Sequence, residues 1–245
     1  MSVSVKTAEE RKKEFTRQTH QTAYVCRAVF ERKGALSYIG HLDLKAVFER
    51  ALRRAGLPLL YTQGFNPRPM LVFALPLGVG TDTEGDWLDV SMSVYIDAEE
   101  FVRRVNGELP GGLKVIRAVS IEEPRNSLMS VVTCASYRIE SEGITLKLLE
   151  LFDRESVETV KKSKGREVLT DIRPLMIKPL TTSTPDSAEY MCYAGSTQNL
   201  RPDVLLRAIC EITGYPSEQA AEARVTRLAL YGGEYPDIKS LEGLL

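Results

Sequence analysis

The sequence predicts a mixed α+β protein built as two tandem ferredoxin-like (βαββαβ) halves. Three observations predict it. Apolar residues alternate with polar ones over residues 24–31 and 87–96, as strands place them. They recur at helical spacing over residues 42–55 and again after Arg201-Pro202-Asp203. The order strand, helix, strand, strand, helix, strand can be read twice along the chain, and that order is the ferredoxin-like unit. The 245 residues, 43% hydrophobic and 27% charged, are enough for one large core or two small ones.

Residues 1–22 carry Arg11, Lys12, Lys13 and Arg17 with little to bury, and read as a flexible N-terminal tail. The first half spans residues 23–123. Its first strand places Tyr24, Cys26, Ala28 and Phe30 on one face, and Lys33-Gly34 ends it. The helix over 42–55 gathers Leu44, Val47, Phe48, Ala51, Leu52 and Ala55 into one stripe, closed by Gly56 and Pro58. A turn through Gly64-Phe65-Asn66-Pro67, an extended run 71–75 and a strand 87–96 follow. Asp97 reads as an N-cap for a short helix carrying Phe101, Val102 and Val105, and Gly111-Gly112 turns the chain into a strand 113–119.

Residues 124–130 read as a junction. The second half spans 131–232, with strands 133–139, 157–162, 172–180, 190–194 and 223–231 and helices near 144–152 and after Pro202. Residues 233–245 read as a C-terminal tail.

Several chemistries find no footing. Net charge is −1, so nucleic-acid binding would need a local basic patch rather than a basic chain. The four cysteines are widely spread and the two histidines, His20 and His41, stand far apart. No metal site is expected and no cofactor is implied. No phosphate-binding Gly-rich loop joins a strand to a helix, and Gly78-Val79-Gly80 reads as a turn. No bilayer-length apolar run and no secretory leader is seen, and the spread cysteines suit a reducing compartment. A cytoplasmic location is expected.

His41 falls at the start of the first helix, where backbone N–H groups favour anions. It could pack or cap there, contact a ligand, or act as an acid–base group. Around it lies the basic patch. Between residues 24 and 68 eight basic residues face three acidic ones, whereas residues 82–100 hold seven acidic residues and no Lys or Arg. His41, Lys45, Arg50, Arg53, Arg54, Phe65 and Arg68 are the candidate nucleic-acid-binding residues, with Tyr38 and Tyr61 also near for stacking. A second basic run, Lys161-Lys162-Ser163-Lys164-Gly165-Arg166, reads as a hairpin tip that could grip a polyanion with Arg173 following.

Four segments are more specific. They are Gly34-x-Leu36-Ser37-Tyr38-Ile39-x-His41-Leu42-Asp43, Phe48-Glu49-Arg50-Ala51-Leu52-Arg53-Arg54-Ala55-Gly56-Leu57-Pro58, Gln63-Gly64-Phe65-Asn66-Pro67-Arg68-Pro69 and Ala74-Leu75-Pro76-Leu77-Gly78-Val79-Gly80. Together with Asp171-Ile172-Arg173-Pro174 and Leu200-Arg201-Pro202-Asp203-Val204-Leu205, they make the chain resemble the radical SAM-linked proteins, a bacterial family of unknown function. The resemblance implies a radical SAM protein as partner. It brings no catalytic residue with it, and the Cys-x-x-x-Cys-x-x-Cys motif of radical chemistry is missing here. The family's turn often carries a histidine after Asn-Pro, where this chain has Arg68.

The expected function is therefore a radical SAM-associated accessory protein, not itself clearly an enzyme, that binds RNA through the basic face of its first half. An RNA-processing or RNA-modifying enzyme using His41 is one alternative. A protein–protein module that docks the radical SAM partner is another.

Overall fold

The computed structural model describes residues 24–122, 127–163, 166–180 and 184–241. The expected tail 1–22, much of the expected junction and the side chains of the basic run 161–166 lie outside the described residues.

Strand β1 (Tyr24–Arg32) pairs antiparallel with β3 (Thr81–Met92) on one side and β4 (Leu113–Glu122) on the other. The short β2 (Leu71–Phe73) joins the far side of β3, opposite Leu88–Val90. Helices α1 (His41–Arg54) and α2 (Ala98–Asn106) cover one face. Helix α1 buries Leu44, Phe48, Ala51 and Leu52, the stripe that its spacing demands. Arg53 and Arg54 in its last turn complement the helix dipole. At α2 the Asp97 carboxylate accepts from the Glu99 and Glu100 amides, satisfying two otherwise unpaired donors. The core beneath holds an aromatic triangle, with Phe30–Phe48, Phe30–Phe73 and Phe48–Phe73 ring centroids 5.2, 5.7 and 5.6 Å apart.

A short helix α3 (Leu128–Val131) leads into β5 (Val132–Glu140) and α4 (Ile144–Phe152). Strands β6 (Glu158–Ser163) and β7 (Arg166–Asp171) then form a two-stranded hairpin apart from the main sheet. Strands β8 (Met176–Pro179) and β9 (Ser187–Tyr193) return to the main sheet, followed by α5 (Pro202–Thr213), α6 (Ser217–Glu222) and β10 (Arg224–Gly232). A hairpin tip was expected at 161–166, but β7 was not among the expected strands. The apolar run 172–180 reads as one strand in sequence, but Pro174 supplies no N–H, and Arg173–Leu175 turn as a 3₁₀ element.

The main sheet runs β4-β1-β3-β10-β5-β9-β8 and is mostly antiparallel. Among the described residues its one parallel pairing joins the two halves, with Val225, Thr226 and Arg227 of β10 opposite Thr81, Asp82 and Thr83 of β3. Approach there is close. A Cβ on Gly85 would lie 2.9 Å from the Leu228 carbonyl oxygen, so only glycine fits. The second core crosses the same seam. Val29, Ala74 and Trp87 from the first half pack with Leu128 of α3 and with Val132 and Ala135 of the second half. Strand β3 begins six residues before the alternation at 87 suggests, because Thr81–Asp86 is a polar stretch held by partners from β10. Residues 233–241, expected as the start of a tail, return to the sheet. Strand β11 (Lys239–Ser240) pairs with β10, and Leu241 is buried in the second core.

Among the described residues no helix is long and apolar enough to cross a membrane.

Candidate functional site

His41 is the first residue of α1, with Gly40 as N-cap, and its side chain caps nothing. Its ring stands edge-on to Phe73 at 5.2 Å, at the end of the aromatic triangle. Its Nδ1 is buried with no hydrogen-bond partner. Burial first, then the charges of Lys45, Arg227 and Arg32, push its pKa below the usual histidine value, so the ring is neutral near pH 7. The structure therefore pairs His41 with an aromatic wall rather than with a carboxylate that would orient it as a base.

The other candidates divide. Arg50 and Arg53 are exposed along the outer face of α1, without a carboxylate partner among the described residues. Arg54 is exposed too, but it is engaged, its Nε 2.8 Å from the Glu108 carboxylate and an Nη on the Glu108 carbonyl. Lys45 is half-buried beside His41. Phe65 and Arg68 lie on a hairpin that rises from the sheet edge. Tyr61 bridges to Pro69, the Thr62 amide donates to the Arg68 carbonyl, and the Met70 amide donates to the Leu60 carbonyl. Every residue from Tyr61 to Arg68 is exposed, and Phe65 is 104% exposed. Tyr38, 74% exposed, and Leu42, 78% exposed, add apolar surface near the start of α1.

The charge segregation visible in the sequence does not survive folding. The acidic stretch is met largely by arginines from elsewhere. Arg27 grips Asp89 with two hydrogen bonds of 2.8 and 2.9 Å, Arg224 grips Asp82, and Arg138 pairs with Glu84. Arg227 meets Asp86 at 2.7 and 2.5 Å, both side chains almost wholly buried. Arg173 is not free for a polyanion either. Its guanidinium donates to the carbonyls of Arg154, Met176 and Phe152 and lies over the Phe152 ring.

Two arginines, Arg227 and Arg32, do something that the sequence did not suggest. Arg227 also donates to the carbonyls of Leu75 and Pro76, and buried Arg32 donates to those of Gly78 and Thr81. The Gly80 amide donates to the Ser37 carbonyl, while the Ser37 hydroxyl bonds to Asp82. The segment 75–81 is thus clamped from both halves. Tyr137 packs beneath it, with burial pushing its phenol up to about 12. The available signal was the spacing of Asp82, Glu84 and Asp86 at every second residue, a strand pattern in acidic residues.

Fold and surface together define an α+β protein with an exposed aromatic hairpin, a cationic helix face and a clamped loop where its halves meet. A family model described as an uncharacterized protein conserved in bacteria (DUF2344) matches residues 26–202. The chain belongs to that family. No curated protein matches it.

Proposed function

We propose that this chain is a cytoplasmic accessory protein that binds RNA across the hairpin tip and the outer face of α1, and that it works beside a radical SAM enzyme. The observation that carries the RNA reading is Phe65, wholly exposed at the tip of an ordered hairpin. Leaving such a side chain in water forgoes roughly 1.5–3 kcal/mol of burial. A base stacked on it would recover a similar amount. Tyr61 and Arg68 flank it, and the exposed Arg50 and Arg53 offer phosphate contacts. The radical SAM partner rests on the segment resemblance alone. The cytoplasmic location rests on the spread cysteines of the sequence.

The same reading takes the two halves as ferredoxin-like units. What supports it is the strand order β4-β1-β3-β2 in the first half and β10-β5-β9-β8 in the second, with the β6–β7 hairpin inserted. We do not assign catalysis to His41, because its Nδ1 lacks a partner and its ring is committed to Phe73.

The test is a titration of single-stranded RNA against salt. Arg50→Ala with Arg53→Ala should flatten the log–log salt slope by roughly 0.7 for each phosphate no longer neutralised. Phe65→Ala should weaken binding about 5- to 150-fold at unchanged slope, from a stacking contribution of about 1–3 kcal/mol. RNA affinity equal to wild type in both variants overturns the proposal. Salt-insensitive capture of a protein partner that depends on Phe65 would favour the docking-module alternative instead.

A further inference from the structure

A cleft of about 580 Å³ lies beside the clamped loop, where the two halves meet. Leu75, Leu77 and Val79 line it from the first half, and Leu206, Ala220 and Ala223 from the second. Its volume falls in the range of small-ligand sites, roughly 300–1,000 Å³. Thr81, Tyr137 and Arg227, 8%, 3% and 2% exposed, are its buried polar residues. Asn199, Arg201 and Asp203 are its exposed ones.

Three features distinguish it from an incidental crevice. Its loop wall is preorganised at high cost, since two buried guanidinium groups are spent on four backbone carbonyls of residues 75–81. Two of the segments that carry the family resemblance, 74–80 and 200–205, are far apart in sequence and converge on it. Its charges are already neutralised, because Arg227 is paired with Asp86 and Arg201 with Asp203 in a two-point contact. A net ionic ligand would face no unpaired counter-charge. A neutral ligand suits the apolar walls, and the Asn199 amide with the Arg201–Asp203 pair offers it both donors and acceptors.

We propose that this cleft binds a single nucleobase. A neutral ligand with polar edges follows from the cleft itself, while its identity as an unstacked base of bound RNA rests on the reading of the hairpin and α1 as an RNA surface. RNA is read in this way, by bases splayed out of the strand into pockets.

Saturation-transfer NMR on the full chain with adenosine, guanosine, cytidine and uridine, and with ribose 5-phosphate as the base-free control, tests it. At least one nucleoside should bind and the control should not. Ala221→Trp, at an exposed position lining the cleft, should cut nucleoside affinity tenfold or more with the melting midpoint kept, and Asn199→Ala should weaken it several-fold. No nucleoside binding, equal binding of the control, or binding undiminished in both variants overturns the cleft assignment. The two readings fail separately. Nucleosides bound in the cleft without any affinity for RNA would sink the RNA surface and leave the base site standing. Salt-dependent RNA binding without nucleoside binding would do the reverse.

Discussion

Replacing Arg227 by Met tests whether the clamp at the seam holds the molecule together. The side chain is 2% exposed and donates two hydrogen bonds to Asp86 and two to the carbonyls of Leu75 and Pro76. Methionine would fill much of the space and leave Asp86 as a buried carboxylate without its cation. Breaking a buried ion pair in this way costs about 3–5 kcal/mol. Orphaning the two carbonyls adds to that unless water reaches them, at about 1–3 kcal/mol each. For a chain of this size each kcal/mol moves the melting midpoint by about 2–4 °C. Arg227→Met should therefore melt at least about 6 °C below wild type. Urea unfolding followed by circular dichroism measures the loss directly. The double variant Arg227→Met with Asp86→Asn should recover part of it, since no buried charge is then left unpaired. A single variant within about 1 kcal/mol of wild type would refute the clamp as a structural tie.

Two further perturbations bear on the same regions. His41 has its pKa held below the ordinary 6.5 by burial and neighbouring cations. Below that pH the unfolded chain takes up a proton that the folded one resists, so stability is full above about 6.5 and falls as pH drops toward the folded-state pKa. His41→Phe keeps a ring against Phe73 and should flatten that acid limb in melts at stepped pH, and an unchanged limb would count against the assignment. Gly85→Ala places a methyl 2.9 Å from the Leu228 carbonyl and should cost about 1–3 kcal/mol by forcing β3 and β10 apart, read by calorimetry. A neutral effect would mean that the seam yields freely.

Where local chemistry decides structure, the sequence was legible. Helix α1 follows from its apolar stripe, the Asp97 cap from residue type and position, and the hairpin turn from Gly64-Phe65-Asn66-Pro67. The exposure of Phe65, Arg50 and Arg53 also fits the sequence reading of a solvent-facing set. What was hidden lies in pairs distant along the chain. Arg27, Arg32 and Arg227 look like surface charges in sequence, because burial of an arginine depends on partners that spacing cannot reveal. The same blindness made the acidic stretch from Asp82 look like a charged face, when folding turns Asp82 and Asp86 inward against Arg224 and Arg227. Arg173 misled for a related reason, since a guanidinium satisfied by backbone carbonyls leaves no sequence pattern. The cleft was invisible because its walls come from loops and short helices of both halves, and α6 was not anticipated at all.

The seam between β3 and β10 also bears on how the chain is made. Strand β3 leaves the ribosome long before β10 does, so its far edge at Thr81–Asp86 must wait with its ladder unpaired. That edge carries Asp82, Glu84 and Asp86, and charged side chains discourage a waiting strand from pairing with the wrong neighbour. The strand that finally arrives brings Arg224 and Arg227 into ion pairs with Asp82 and Asp86, while Arg138 of β5 meets Glu84. The carboxylates thus serve twice over time, first as a guard on a nascent edge and then as an address that only the matching strand can read.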